Sequence, residues 1–180
     1  MYPTAEEIEE LISAPKWIES PAQWHETGHK NSFRAEARLP IMLSQGRFNL
    51  QIHIDVDINT PKLSGSVVFF YSRAGYKQIP ISRMEMLNSN AHTNSQYQGL
   101  KNTDLTLITV PPDCYRIYSW DDNKHLYPEI LQDKNNLAYC RELPGIDNFL
   151  DSINHFFGII NVEGCGLVRE PPHELGMKLI

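Results

Sequence analysis

The sequence predicts a two-layer α+β domain, an antiparallel meander sheet of about six strands with an N-terminal and a C-terminal helix packed on one face. Three observations lead there. Phe48, Leu50, Ile52, Ile54, Val56 and Ile58 alternate without a miss with Asn49, Gln51, His53, Asp55, Asp57 and Asn59, the period-two signature of a half-buried strand. Apolar residues at helical spacing occur instead near the two ends of the chain. The segments between strands are short and rich in turn residues, which implies antiparallel neighbours because parallel pairs need long crossovers.

Taken in order, Thr4 and Glu7 form a capping box ahead of Ala5, Ile8, Leu11 and Ile12, which share one helix face until Pro15 ends the run. The rest of residues 1–32 reads as a loop lead-in. Strands are expected at about 33–39, on the long alternating segment, and at 66–73, 81–87, 105–110 and 115–120, with turns such as Asn59-Thr60-Pro61 and Pro111-Pro112-Asp113 between them. Residues 88–98 are almost wholly polar and read as a long exposed loop. Ile146, Phe149, Leu150, Ile153, Phe156 and Phe157 form a second helical stripe, with Gly158 placed as its C-terminal cap. A short strand follows Ile159, and 169–180, with Pro171-Pro172, reads as an irregular tail. No repeat or linker divides the chain, so 1–180 is expected to form one domain.

The 180 residues carry 16 Lys plus Arg against 22 Asp plus Glu, a formal charge of −6, which argues against a general polyanion binder. A hydrophobic share of 41 % and a charged share of 21 % exclude disordered and coiled-coil chains. The start lacks the basic-then-apolar order of a signal peptide, and no apolar run approaches the roughly 20 residues that span a bilayer. The expectation is a cytoplasmic protein without a membrane partner. Cys114, Cys140 and Cys165 are odd in number and lack Cys-x-x-Cys spacing, which fits reduced thiols.

Three groups of residues could carry chemistry. His25-Glu26-Thr27-Gly28-His29 has the letters of a zinc peptidase motif, in which two His one helical turn apart hold the metal and Glu activates water. Gly28 and the polar surroundings make a helix improbable there, so His25, Glu26 and His29 are weak metal candidates and no cofactor is expected. On the long strand, His53, Asp55 and Asp57 share one face and form a candidate binding row, which also fits an ordinary solvated strand face. In the middle of the chain, Arg83, His92, Tyr118 and His125 could cleave RNA without metal if brought together, the His or the nearby Glu85 moving protons and the Arg stabilising charge on phosphate. Asn94, beside His92, is a further binding candidate. The alternative is a set of polar turn and strand-edge residues.

Several short stretches resemble a family of small prokaryotic proteins encoded near toxin–antitoxin and mobile-element loci, with a pattern like the TumE-type toxins. Leu11-Ile12-Ser13-Ala14-Pro15-Lys16 is similar to the family's start. Arg83, Glu85, Asn88, His92 and Asn94 sit like its Arg-x-Asp, Asn and Pro-His-x-Asn segments, and Ile117-Tyr118, Lys124 and Tyr127-Pro128 resemble later ones. The chain departs where the family places a His-x-His pair, offering Cys114 and Arg116, and residues 100–113 resemble an insertion. If the paired His are the functional groups, only Arg83 and His92 carry over.

The leading expectation is a cytoplasmic accessory or protein-interaction module of a prokaryotic defence, toxin–antitoxin or phage-related system, binding a basic protein partner through the polar sheet face and the loop around His92. The alternatives are a metal-independent RNase-type toxin, with RNA as its partner, and a zinc peptidase.

Overall fold

A computed structural model of the chain describes residues 3–27, 34–43, 49–58, 62–72, 79–94, 108–127 and 137–171. The first helix, α1 (Ala5–Ser13), begins with the expected capping box. Thr4 N donates to Glu7 Oε2 at 2.9 Å, and Glu7 N donates to Thr4 Oγ1 at 3.2 Å. Its carbonyl end is closed by Lys16, whose completely buried Nζ donates to the carbonyls of Leu11 (2.6 Å), Ile12 (3.0 Å) and Ala14 (2.6 Å).

Eleven strands follow among the described residues: β1 (Lys16–Ile18), β2 (His25–Thr27), β3 (Arg34–Leu43), β4 (Asn49–Asp57), β5 (Ser64–Ser72), β6 (Ile79–Met86), β7 (His92–Thr93), β8 (Thr109–Val110), β9 (Arg116–Tyr118), β10 (Arg141–Glu142) and β11 (Val162–Glu163). Two further helices are α2 (Trp120–Asn123) and α3 (Phe149–Ile159). The main sheet has nine strands rather than about six, in the order β10-β9-β6-β5-β4-β3-β1-β11, with β2 also on β3. The run β3 to β6 is the expected antiparallel meander. Beyond it the order departs from a meander. β9 lies beside β6 while β7 and β8 form a separate two-stranded sheet, and β11 joins β1 in parallel. The supposed lead-in thus contains two strands, β1 and β2, which pair with opposite ends of β3. They were hidden because three residues are too few to show a period.

The sheet has two chemically different faces. One row runs Ala37, Ile54, Val67, Met84 and Ile117 across five strands, and every member is buried. Ile8 and Leu11 of α1 and Phe149, Ile153, Phe156 and Phe157 of α3 belong to the same core cluster, and Ser152 of α3 touches Met86 at 3.3 Å. Each such large apolar side chain contributes about 1.5–3 kcal/mol when fully buried. A bulge between Phe69 and Phe70 sets Ser82 opposite Phe69 and Pro80 opposite Phe70, relieving the ladder where Pro80 has no N–H to give.

Other boundaries shift for local reasons. α3 runs past Gly158 to Ile159, and Asn161 at φ 51° takes the left-handed position after the helix, which Asn tolerates. The expected strand at 115–120 stops at Tyr118, because Ser119 caps α2 by accepting from Asp122 N at 3.2 Å. Of the strand expected at 105–110, the first residues lie outside the described ones, as do His29 and most of the tail. Among the described residues, no helix is long and apolar enough to cross a membrane.

Candidate functional site

On the second face, alternation along β6 points Arg83 and Glu85 outward, and β9 presents Arg116 and Tyr118 beside them. Arg83 stands opposite Tyr118, and Glu85 opposite Arg116. The Glu85 carboxylate is surrounded by donors. Arg116 Nε donates to its Oε2 at 2.6 Å, Asn88 Nδ2 donates to the same oxygen at 3.0 Å, and the guanidinium ends of Arg116 and Arg83 complete ion pairs with the two oxygens. Burial opposes the Arg116 charge, but the hydrogen bond and charge of Glu85 outweigh it and raise the guanidinium above its ordinary pKa.

A strained turn brings Asn88 into place. Leu87 adopts φ 50°, uncommon for a bulky side chain, and Asp113 adopts φ 55°, which Asp tolerates better. They are held there by Leu87 N donating to the Cys114 carbonyl (3.1 Å) and Asp113 N to the Asn88 carbonyl (2.8 Å). Strain of this kind costs of order 1–3 kcal/mol and is found where surrounding contacts over-determine the backbone. The chain then wraps Arg116, whose Nη1 donates to the Asn90 carbonyl at 2.8 Å.

His92 continues this wrap. Its Nε2 lies 3.1 Å from the Ala138 carbonyl and so donates, and its ring meets Tyr118 edge-on with centroids 5.4 Å apart. The Arg83 guanidinium lies over the same ring at 5.6 Å. Three of the four residues singled out as catalytic, Arg83, His92 and Tyr118, therefore converge on one aromatic ring. His125 does not join them there. It is exposed and packs against Tyr139 with centroids 5.5 Å apart. Burial above all, then Cys140 and Glu85, hold the Tyr118 phenol far above its ordinary pKa. Burial likewise pushes the Cys140 thiol up to about 11, against a lowering hydrogen bond from Tyr118.

The described part of the segment read as a long exposed loop, residues 88–94, is anchored. Asn94, placed among the binding residues from sequence, is fully buried. Its amide bridges the Cys140 backbone, Nδ2 donating to the carbonyl at 2.9 Å and Oδ1 accepting from the N–H at 3.0 Å. That burial removes Asn94 from any binding surface and makes it a clamp between 92–94 and 138–140.

The row on β4 is half-buried and paired. His53 Nε2 lies 3.3 Å from Glu36, and Asp55 accepts from Arg34 Nε at 2.8 Å. Burial works against the Glu36 charge, but Arg38, at 2.6 Å, and His53 outweigh it and lower its pKa. Asp57 borders a groove of about 650 Å³ that runs past Arg34, Lys62, Ser66, Arg83 and Glu85. This groove was not legible beforehand. The one hint is a pair of outward-pointing alternations, Arg83-x-Glu85 and Arg116-x-Tyr118, whose registry no single strand reveals.

His25 and Glu26 lie on β2, where successive side chains point to opposite sides, whereas the zinc peptidase arrangement needs one helical face. Among the described residues, no three His, Cys, Asp or Glu side chains stand close enough to share a metal ion. The three thiols are free. Comparison with protein-family models, with curated proteins and with solved structures finds no match for this chain.

Proposed function

We propose that the protein is a binding module that receives a protein partner on the polar sheet face, along the groove beside Glu85, with the two longer helices covering the opposite, apolar face. The observation that carries this reading is the commitment of Glu85. Both its oxygens are taken by Arg83, Arg116 and Asn88, so this buried carboxylate is already committed to partners inside the protein and holds the groove wall rather than offering a free acid or base. Burial, for its part, keeps the Tyr118 phenol and the Cys140 thiol protonated. Carboxylates on this face are interleaved with arginines, as in Arg34–Asp55 and Arg38–Glu36, so the face recognises a partner by its pattern of both signs. The formal charge of −6 on the whole chain favours encounter with a basic partner. A place in a prokaryotic defence, toxin–antitoxin or phage-related system is part of this proposal and rests on the sequence resemblance.

The test is capture from a lysate of the source organism by the purified chain. A basic protein should be retained, released by salt, and lost with Asp55→Lys but not with a charge reversal on α1. Retention that ignores both salt and Asp55→Lys would count against this surface.

A second reading, an RNA-cleaving toxin, is favoured by the convergence of Arg83 and His92 on Tyr118. It requires growth arrest on expression that His92→Ala relieves. Harmless expression with no RNA cleavage eliminates it.

A further inference from the structure

We propose that the partner is anchored at the far end of the sheet face, where Trp17 and Met42 receive one of its arginine or lysine side chains and an apolar residue beside it. This deepens the reading above and rests on it. Among the described residues only four large apolar side chains are exposed, Trp17 and Met42 at 42 % and 40 % together with Ile108 and Leu150. Trp17 and Met42 stand opposite each other across β1 and β3. Their chain neighbours Lys16, Ile18 and Ile41 are buried, so alternation turns both towards the face that carries Glu36 and Asp55. Pro40, exposed and two residues from Met42, extends the apolar surface along β3. Apolar residues scattered singly over a surface are ordinary, whereas tryptophan and methionine side by side are residue types concentrated where proteins meet.

The charge around this pair selects what it takes. Glu163 is the register partner of Trp17 on β11 and shares its face, and Glu19 follows two residues after Trp17. Both are exposed, and neither side chain makes an ion pair or hydrogen bond among the described residues. Elsewhere on this face Glu36, Asp55 and Glu85 are each paired with an arginine. An open carboxylate beside an exposed indole suits a cation, which gains from the ring as well as from the charge while its long stem lies on apolar surface. Arg34 of the groove and Met42 are eight residues apart on β3, about 27 Å. One partner of ordinary interface size, about 800 Å² on each side, covers both.

The probe is acetyl-Arg-Gly-Leu-amide, whose arginine and leucine fall on one side when the peptide is extended. Two-dimensional NMR follows the Trp17 indole N–H and the Met42 methyl, assigned by their loss in Trp17→Leu and Met42→Leu. Both signals are expected to shift saturably at millimolar peptide, and less readily as salt is raised. The citrulline analogue, of the same shape without the charge, should bind at least about fivefold more weakly. Followed at the Met42 methyl, Trp17→Leu should weaken the peptide at least about threefold and Glu163→Gln about twofold. Signals that stay in place while the protein remains folded overturn the proposal, as does equal binding of the citrulline analogue or equal binding to Trp17→Leu. The reading of the whole face fails separately. A basic protein that Asp55→Lys releases but Trp17→Leu retains leaves that reading standing and removes this anchor. Peptide binding at Trp17 beside a partner indifferent to Asp55→Lys upholds the anchor and removes the groove.

Discussion

Glu85 and Arg116 meet across neighbouring strands in the interior of the polar face, with Arg116 Nε 2.6 Å from Glu85 Oε2 and the two residues only 4 % and 3 % exposed. Two charges removed from water hold each other through short, charge-assisted hydrogen bonds. Losing one partner strands the other, which typically costs about 3–5 kcal/mol, whereas replacing both with apolar groups can be near neutral. Glu85→Ala should therefore destabilise strongly in urea unfolding, and Glu85→Leu with Arg116→Met should recover much of the loss. Equal, additive losses in that cycle would show that the pair does not act as a unit.

Asn94 offers a sharper test of the clamp. Removing its amide leaves the buried N–H and carbonyl of Cys140 without these partners, at about 1–3 kcal/mol for each unsatisfied group. Asn94→Ala should lower the melting temperature and raise amide exchange at Cys140. A carboxylate can still accept from the N–H but meets the carbonyl with its negative charge, so Asn94→Asp should be worst at neutral pH and partly recover in acid.

Gly65 marks a close approach of two backbones. A Cβ there would fall 2.0 Å from the Asp55 carbonyl oxygen and 2.8 Å from Val56 Cα, both main-chain atoms that cannot rotate away. Since Gly65 pairs with Val56 on one side and Met86 on the other, Gly65→Ala must push β4 and β5 apart. A loss of more than about 3 kcal/mol is expected, beyond an ordinary overpacking cost. Wild-type stability in this variant would contradict the register.

Lys16 predicts an unusual pH dependence. Burial pulls its ammonium down from 10.5 to about 8. Between those values the unfolded chain holds the proton and the folded chain has lost it, so stability rises with pH across this window. The burial cost is present in full below about 8 and is relieved above it. The gain sums to no more than about 3 kcal/mol. Unfolding free energies measured through the window should rise for the wild type relative to Lys16→Met. A constant difference would place the Lys16 pKa near its ordinary value.

Local order was readable because periodicity and capping depend on residues a few positions apart. The Thr4–Glu7 box and the alternation around Ile52 and Ile54 specify α1 and β4 without reference to anything distant. Very short strands such as β2 and β11 exist only because a neighbour pairs with them, and no local period announces them. The polar face follows the same division. That His53, Asp55, Arg83 and Glu85 point outward from their strands is local information. That Glu36, Asp55, Ser66, Glu85 and Arg116 form one row is not, since cross-strand register is set by burying the opposite face. The same holds for charge. Arg83-x-Glu85 reads as solvated surface until β9 settles beside β6 and turns Glu85 into half of a buried pair. Asn94 reads as loop until Cys140 arrives from 46 positions away. The sequence by itself determined the longer elements, such as α1 and β4, and the direction of their side chains. Only the tertiary structure decided which polar groups remain available to a ligand, because burial and pairing come from distant segments that the core brings together.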